Sequence, residues 1–240
     1  MATPRIFNLD SENLGSEIVT IYVGPKRKSF TVHKKLLCER SSYFLKAFAS
    51  GFKEGAEGVM YMKEEHVDAF ENLVNWIYRD QLPSFPSRDF PDSIDGWENF
   101  GQTVTEPLFF MAEKLCIDEI CNKIMDVYQD SHLRLGLMLG SEEIMRVYAN
   151  THENTYNKIA YSRLCREILG NMADLLKSTP DFATDFTILQ LTYGYRFRER
   201  KEADLFIRTG PQSFGQCFFH THSKDEVCNL EPEKKKKGKV

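Results

Sequence analysis

The 240-residue chain has no long apolar segment. A membrane-spanning helix needs about 18 consecutive apolar residues, and no such run occurs. Residues 1–16 carry charges at Arg5, Asp10 and Glu12 and have no apolar stretch of the kind found in a signal peptide. We therefore expect an intracellular protein, in the cytoplasm, the nucleus or both, with no membrane partner.

Cysteine is scarce, and the common catalytic motifs are missing. Six cysteines are too few for a disulfide scaffold in a chain of this length. No glycine-rich phosphate loop follows a strand, and neither G-x-S-x-G nor H-E-x-x-H occurs. The formal net charge of -4 argues against binding nucleic acid through the overall field. We predict that the chain is not an enzyme and has no nucleic-acid partner.

The remaining signals are periodic apolar patterns. Residues 18–23 are apolar or β-branched throughout, which predicts a strand covered on both faces, and residues 30–32 predict a short return strand. Leu36 and Leu37 lie on a predicted short helix, and Ser41 is the predicted N-cap of a second. The clearest amphipathic helix begins near residue 66, with apolar residues at helical spacing: Val67, Phe70, Leu73, Val74 and Ile77.

Composition divides the chain into five parts. Proline, serine and aspartate dominate residues 83–104, which predicts a loop inserted into a compact domain. A pair of helices over residues 108–127 closes that domain, and further helical patterns follow residue 141. The predicted parts are an N-terminal arm (1–14), a domain (15–130), a helical extension (131–210), a Cys/His-rich segment (211–230) and a basic disordered tail (231–240).

The order of these elements resembles a BTB/POZ domain. The similarity starts at Glu17 with E-I-V-T-I-Y-V, continues through F-T-V-H-K-K-L-L-C and ends with the helix reading N-W-I-Y. It implies an α+β fold, in which a short β-sheet is flanked by a helical cluster, here with an appended C-terminal helical region. It also implies a non-enzymatic interaction module that binds other proteins, including a second copy of itself.

The resemblance implies two sets of residues for self-association. Glu17 and Lys34 correspond to a charged pair near the groove of the family's dimers, although Glu17 replaces the usual aspartate; a purely fold-stabilising ion pair is the alternative. The apolar residues of the first helices form a candidate dimer face: Leu36, Leu37, Tyr43 and Phe44. Periodicity does not distinguish this face from the core of a single protomer. His33 is expected to be a packed core histidine.

A short pattern after the second helix implies another partner. Phe52-Lys53-Glu54 is similar to the hydrophobic-x-Glu pattern with which some BTB proteins contact a cullin scaffold. Phe52 and Glu54 are therefore candidate cullin contacts, and the chain would then be a substrate adaptor of a ubiquitin ligase. A solvated loop charge between Gly51 and Gly55 is the alternative interpretation of Glu54. A dimerising scaffold is favoured over this adaptor.

The Cys/His-rich segment predicts a metal site. Cys217, His220, His222 and Cys228 supply the soft and borderline ligands that tetrahedral zinc prefers, and four of them would close a structural site. The ending is similar to that of fungal single-BTB proteins of this size. Unrelated surface residues are the simpler alternative. A zinc-dependent enzyme, with Asp225 or Glu226 as base, is the remote one.

The end of the chain is basic. Residues 234–237 are all lysine, and Lys239 follows. Such a run is typical of a nuclear-localisation patch or of a solvated tail. A transcription regulator that enters the nucleus through this tail is therefore a further alternative.

Overall fold

The computed structural model describes residues 11–49, 51–82, 100–135, 141–151, 172–199 and 218–220. Within them the chain forms a small sheet and a cluster of helices. The predicted α+β class is confirmed. Among these residues, no helix is both long enough and apolar enough to cross a membrane.

A three-stranded sheet forms the front of the molecule. Its strands are β1 (Ile18–Val23), β2 (Lys28–His33) and β3 (Val59–Met62), in the order β2-β1-β3. β1 pairs with β2 in antiparallel register, placing Ile18 opposite His33, and with β3 in parallel register, placing Tyr22 opposite Tyr61. The β1–β2 turn closes where the Arg27 N–H donates to the Gly24 carbonyl, at 3.0 Å.

Within the part of the chain that the structure describes, only one face of the sheet is covered, which corrects the prediction of a strand covered on both faces. Val19, Ile21 and Val23 are buried, whereas Ile18 is 60% exposed. The apolar run of β1 was therefore a poor guide to burial. β-Branched and aromatic residues favour strands on either face, so their presence does not require a second layer.

Short helices pack on the inner face of the sheet. Their bounds are α1 (Ser11–Leu14), α2 (Lys34–Arg40), α3 (Ser42–Ala47), α4 (Lys53–Glu57) and α5 (Val67–Arg79). Ser41 caps α3 as predicted: its Oγ accepts from the Phe44 N–H at 3.3 Å and donates to the Leu115 carbonyl at 2.6 Å. One hydroxyl thus starts α3 and ties it to a later helix.

Helix α5 is amphipathic, as its sequence predicts. It buries Phe70, Leu73 and Ile77 together with Trp76, while Glu71 and Asn75 face outward. A π-helical turn (Gly101–Thr105) leads into α6 (Glu106–Lys114), and α7 (Asp118–Leu135) follows. The loop predicted to reach residue 104 therefore gives way to helix before that point; residues 83–99 lie outside the described part.

Three more helices follow; the first packs on α6 of this domain, and the other two pack on the first and on each other. They are α8 (Ser141–Asn150), α9 (Met172–Ser178) and α10 (Pro180–Glu199). The Arg146 guanidinium of α8 donates to both carboxylate oxygens of Glu106, each at 3.0 Å. The Tyr148 hydroxyl donates to Asp185 of α10 at 2.8 Å. Buried residues from the sheet, these helices and Phe219 belong to one continuous core.

Candidate protein-interaction surfaces

Helix α4 presents the predicted cullin-contact residues. Phe52 is the N-cap residue of α4 and its side chain is 59% exposed, while Glu54 lies in the first helical turn and is half-buried. Glu54 is therefore part of a helix, not of an extended loop as the alternative supposed. The spacing of the two residues is fixed by the backbone of α4.

Gly55 positions α4 against the end of α3. A Cβ atom at residue 55 would lie 2.4 Å from the Ala49 carbonyl oxygen and 3.0 Å from that of Phe48. Only glycine permits this approach of two backbones. Gly58 then ends α4 in the left-handed conformation, with its N–H donating to the Glu54 carbonyl at 2.9 Å.

Glu17 and Lys34 are brought together. The Lys34 Nζ lies 3.0 Å from a Glu17 carboxylate oxygen, and the two side chains are 28% and 73% exposed. Both line an open cavity of about 340 Å³ whose other walls include Cys38, Leu45 and Phe48. An ion pair this exposed contributes little to stability, about 0–1 kcal/mol.

The candidate dimer face is corrected by the burial of its members. Leu36, Leu37 and Phe44 are fully buried inside the protomer, and only Tyr43 is exposed. A side chain with no exposed surface offers nothing for a second copy to contact. Apolar periodicity therefore marked the core at these three positions. Exposed Leu45, one residue beyond Phe44, was not predicted.

Two side chains close to Lys34 in the sequence, His33 and Cys38, are partly buried. His33 is half-buried, and its Nδ1 lies 2.7 Å from the Tyr78 hydroxyl, which also accepts from the His33 backbone N–H at 3.1 Å. Burial raises the pKa of the Cys38 thiol, and the Lys34 charge opposes this shift. The Cys38 thiol is thus protonated at neutral pH and poorly nucleophilic.

Comparison with protein-family models identifies residues 17–132. The BTB/POZ domain model matches residues 17–132, and the predicted domain spanned residues 15–130. Residues 17–132 are a BTB/POZ domain. This domain is a protein-interaction domain and is generally non-enzymatic. No curated protein matches the chain.

Residues 219 and 220, near the end of the chain, pack against the BTB/POZ domain. His220 is buried, and its Nε2 lies 2.8 Å from Asp126 Oδ1 on α7. Phe219 is buried in the core next to it. Cys217, His222 and Cys228 lie outside the described residues, as does the basic tail. Within the described part, no three potential metal ligands cluster.

A charged network that sequence reasoning missed joins three helices of the BTB/POZ domain. The Arg40 guanidinium lies 4.6 Å from the centre of the Trp76 ring, 3.4 Å from Asp80 and 3.2 Å from Glu119. Lys123 contacts the same two carboxylates. Arg40, the pair Trp76 and Asp80, and the pair Glu119 and Lys123 come from three distant parts of the sequence. No local pattern could have predicted that α2, α5 and α7 meet through them.

Proposed function

We propose that the chain is a non-enzymatic adaptor that presents α4 of its BTB/POZ domain to a cullin scaffold. The observation that supports this function is the exposure of Phe52 at the start of α4, with Glu54 held two residues later. An exposed aromatic residue on a rigid element is the typical anchor of a protein interface. The buried positions of Leu36, Leu37 and Phe44 remove most of the face that would favour a dimerising scaffold instead.

A binding measurement with the N-terminal region of a cullin tests this function. We expect the full chain to bind, and Phe52→Ala combined with Glu54→Ala to weaken binding at least about tenfold, a change of about 1.4 kcal/mol. Tyr43→Ala combined with Glu39→Ala is the matched control, because it removes an exposed aromatic and an exposed acid from outside α4. Absence of binding, or equal loss in both variants, would remove the adaptor function.

Self-association is the second candidate. Tyr43 and Leu45 are exposed on α3, and Leu45 lines the cavity that also holds Glu17 and Lys34. Mass measurements over a concentration series test it. A dimer that Leu45→Asp converts to monomer supports this face, whereas Ile188→Asp is a matched exposed apolar control on α10. A monomer at every concentration would remove the dimer.

We also propose that Cys217, His220, His222 and Cys228 hold a structural zinc ion. The supporting observation is the Asp126 carboxylate on His220, since a zinc-bound histidine usually pairs its second ring nitrogen with such a group. Zinc content of the purified chain tests this proposal. Stoichiometric zinc that falls on Cys217→Ser or Cys228→Ser, but not on Cys116→Ser, is expected; zinc-free wild-type protein would contradict it.

A further inference from the structure

The uncovered face of the sheet carries no Asp, Glu, Lys or Arg among its strand residues. We call this surface the outer sheet face; its residues are Ile18, Thr20, Tyr22, Ser29, Thr31, His33, Val59 and Tyr61. Ile18 and Tyr61 are 60% and 52% exposed. Solvent-facing strand positions usually carry charges, which discourage association with other sheets. An apolar and hydroxyl-bearing face without charge is therefore typical of a surface that another chain covers.

Two tyrosines form a flat aromatic surface at one end of this face. The Tyr22 and Tyr61 rings stack 5.0 Å apart with an interplanar angle of 14°, and the Arg27 guanidinium lies 5.5 Å from the centre of the Tyr61 ring. The stack restrains both rings, so a ligand that packs on them loses little side-chain entropy. Rigid tyrosines of this kind are frequent at the centre of interfaces.

Strand β3 borders this aromatic surface and is an edge of the sheet. The carbonyls of Gly58 and Met62 accept from Thr20 and Gly24, so these two residues face the side of β1. Backbone groups alternate along a strand, which turns the N–H and C=O of Val59 and Tyr61 toward the opposite edge. Within the described ranges no strand pairs with that edge. An extended segment from another chain can pair there.

Positive charge lies in the β1–β2 turn, beside the Tyr22–Tyr61 stack at one end of this edge. Lys26 and Arg27 lie in the exposed β1–β2 turn, and within the described part of the chain neither forms an ion pair. Lys28 differs, because its Nζ lies 2.7 Å from Glu71. Two uncompensated cations next to an aromatic surface favour a partner that carries carboxylates close to an apolar or aromatic side chain.

We propose that the β3 edge and the outer sheet face bind an extended acidic segment of a partner protein. An apolar or aromatic side chain of the segment packs on Tyr61, and a carboxylate beside it pairs with Arg27 or Lys26. The inference rests on the chain being an interaction module. It does not depend on the cullin contact, which involves Phe52 and Glu54.

Selection of random short peptides displayed on phage against the full chain tests this inference. We expect enrichment of Asp or Glu beside Tyr, Phe, Trp, Val or Ile. Fluorescence anisotropy of the resulting consensus peptide then gives its affinity for each variant. Tyr61→Ser and Arg27→Glu should each weaken binding about tenfold. Higher salt should weaken binding to the wild type more than to Arg27→Glu.

Matched controls isolate the surface. Tyr43→Ser removes an exposed tyrosine elsewhere and Arg79→Glu reverses an exposed cation on α5, so both should bind the peptide like the wild type. Phe52→Ala should also bind normally, so a failed cullin experiment does not affect this result. Each variant is compared only if its thermal unfolding matches the wild type, and Arg27→Glu serves if Tyr61→Ser unfolds.

Three results would overturn the inference. The first is selection of peptides without acidic enrichment. The second is peptide affinity that Tyr61→Ser and Arg27→Glu leave unchanged. The third is self-association that Tyr61→Ser abolishes, since the occupant of this surface would then be a second copy of the chain.

Discussion

The contact between the sheet and α5 and the attachment of the later elements differ in how deeply their polar pairs are buried. Between the sheet and α5, the buried contact is made by apolar side chains such as Val32, Phe70 and Leu73, and the polar pairs Lys28–Glu71 and His33–Tyr78 are exposed or half-buried. Helix α8 and the segment at residues 218–220 contribute apolar residues too, but each also has a specific polar contact with the domain: Arg146 with Glu106, and His220 with Asp126. Apolar packing tolerates substitution of similar volume, whereas removing one partner of a buried polar pair leaves the other unpaired and is strongly destabilising.

Because of these polar pairs, the attachment of α8 and of residues 218–220 depends on particular partners and is weakened when one partner is lost. Glu106 is 5% exposed, and hydrogen bonding to Glu106 raises the pKa of Arg146, which keeps the guanidinium charged. The carboxylate therefore depends on one partner from another helix. The exposed Glu17–Lys34 pair resembles it in distance only, because water can replace either partner.

Phe219→Ala should have the largest effect on stability, and it tests whether residue 219 is part of the core. Truncating a buried phenylalanine costs about 3–5 kcal/mol of unfolding free energy. We expect a loss in this range for the full chain in urea denaturation. Phe52→Ala, at an exposed position, should change stability by less than about 0.5 kcal/mol. If Phe219→Ala and Phe52→Ala both had small effects, residue 219 would not be part of the core.

Arg146→Met is the next largest and tests the polar attachment directly. It leaves the Glu106 carboxylate buried without its bidentate partner, and we expect a loss of about 3 kcal/mol by urea denaturation. Adding Glu106→Leu should restore most of this loss, because the buried charge is removed. If the single and double variants are equally stable, the pair does not hold α8 on the domain in the way described.

Cys116→Gly should have a smaller effect of opposite sign, at an exposed position of the domain. Cys116 follows α6 with φ at 54°, a left-handed conformation that glycine adopts without steric cost. We expect stability to rise by about 0.5–1 kcal/mol in thermal or urea unfolding. Cys116→Ala controls for removal of the thiol and should not stabilise. A loss on Cys116→Gly would indicate that the cysteine side chain packs against something here.

Lys34→Met should have the smallest effect and sharpens the contrast with Arg146. The Glu17–Lys34 pair is exposed, so its loss should cost at most about 0.5 kcal/mol, measured by urea denaturation in low salt. High salt should reduce the difference further. A cost comparable to that of Arg146→Met would mean that both pairs are structural to the same degree.

Several helices of the BTB/POZ domain could be predicted from local sequence. The helical spacing from Val67 to Ile77 identified α5, and Ser41 was recognised as a cap. These predictions succeed because a 3.6-residue period and a capping hydroxyl act within a few residues of each other. Phe52 and Glu54 were singled out through their resemblance to a family pattern, whereas α4 itself was missed, since its Gly55 reads as a helix breaker.

Local sequence did not predict the contacts between distant residues. His220 and Asp126 are 94 positions apart, and Arg40 and Glu119 are 79 apart. Nothing in either neighbourhood marks the other, because each side chain by itself resembles an ordinary surface charge. The one-sided sheet was missed for a related reason: β1 has the same strand propensity whether its outer residues face a helix, a partner or water.

The burial of Phe219 also has a consequence for folding during synthesis. A chain emerges from the ribosome N-terminus first, and residues 17–132 are complete long before residue 219 appears. The place that Phe219 fills stays open throughout that interval, leaving the core residues that it covers exposed to solvent and to other nascent chains. We therefore expect the BTB/POZ domain to need chaperone protection until translation is nearly finished, and the same domain expressed without residue 219 to aggregate.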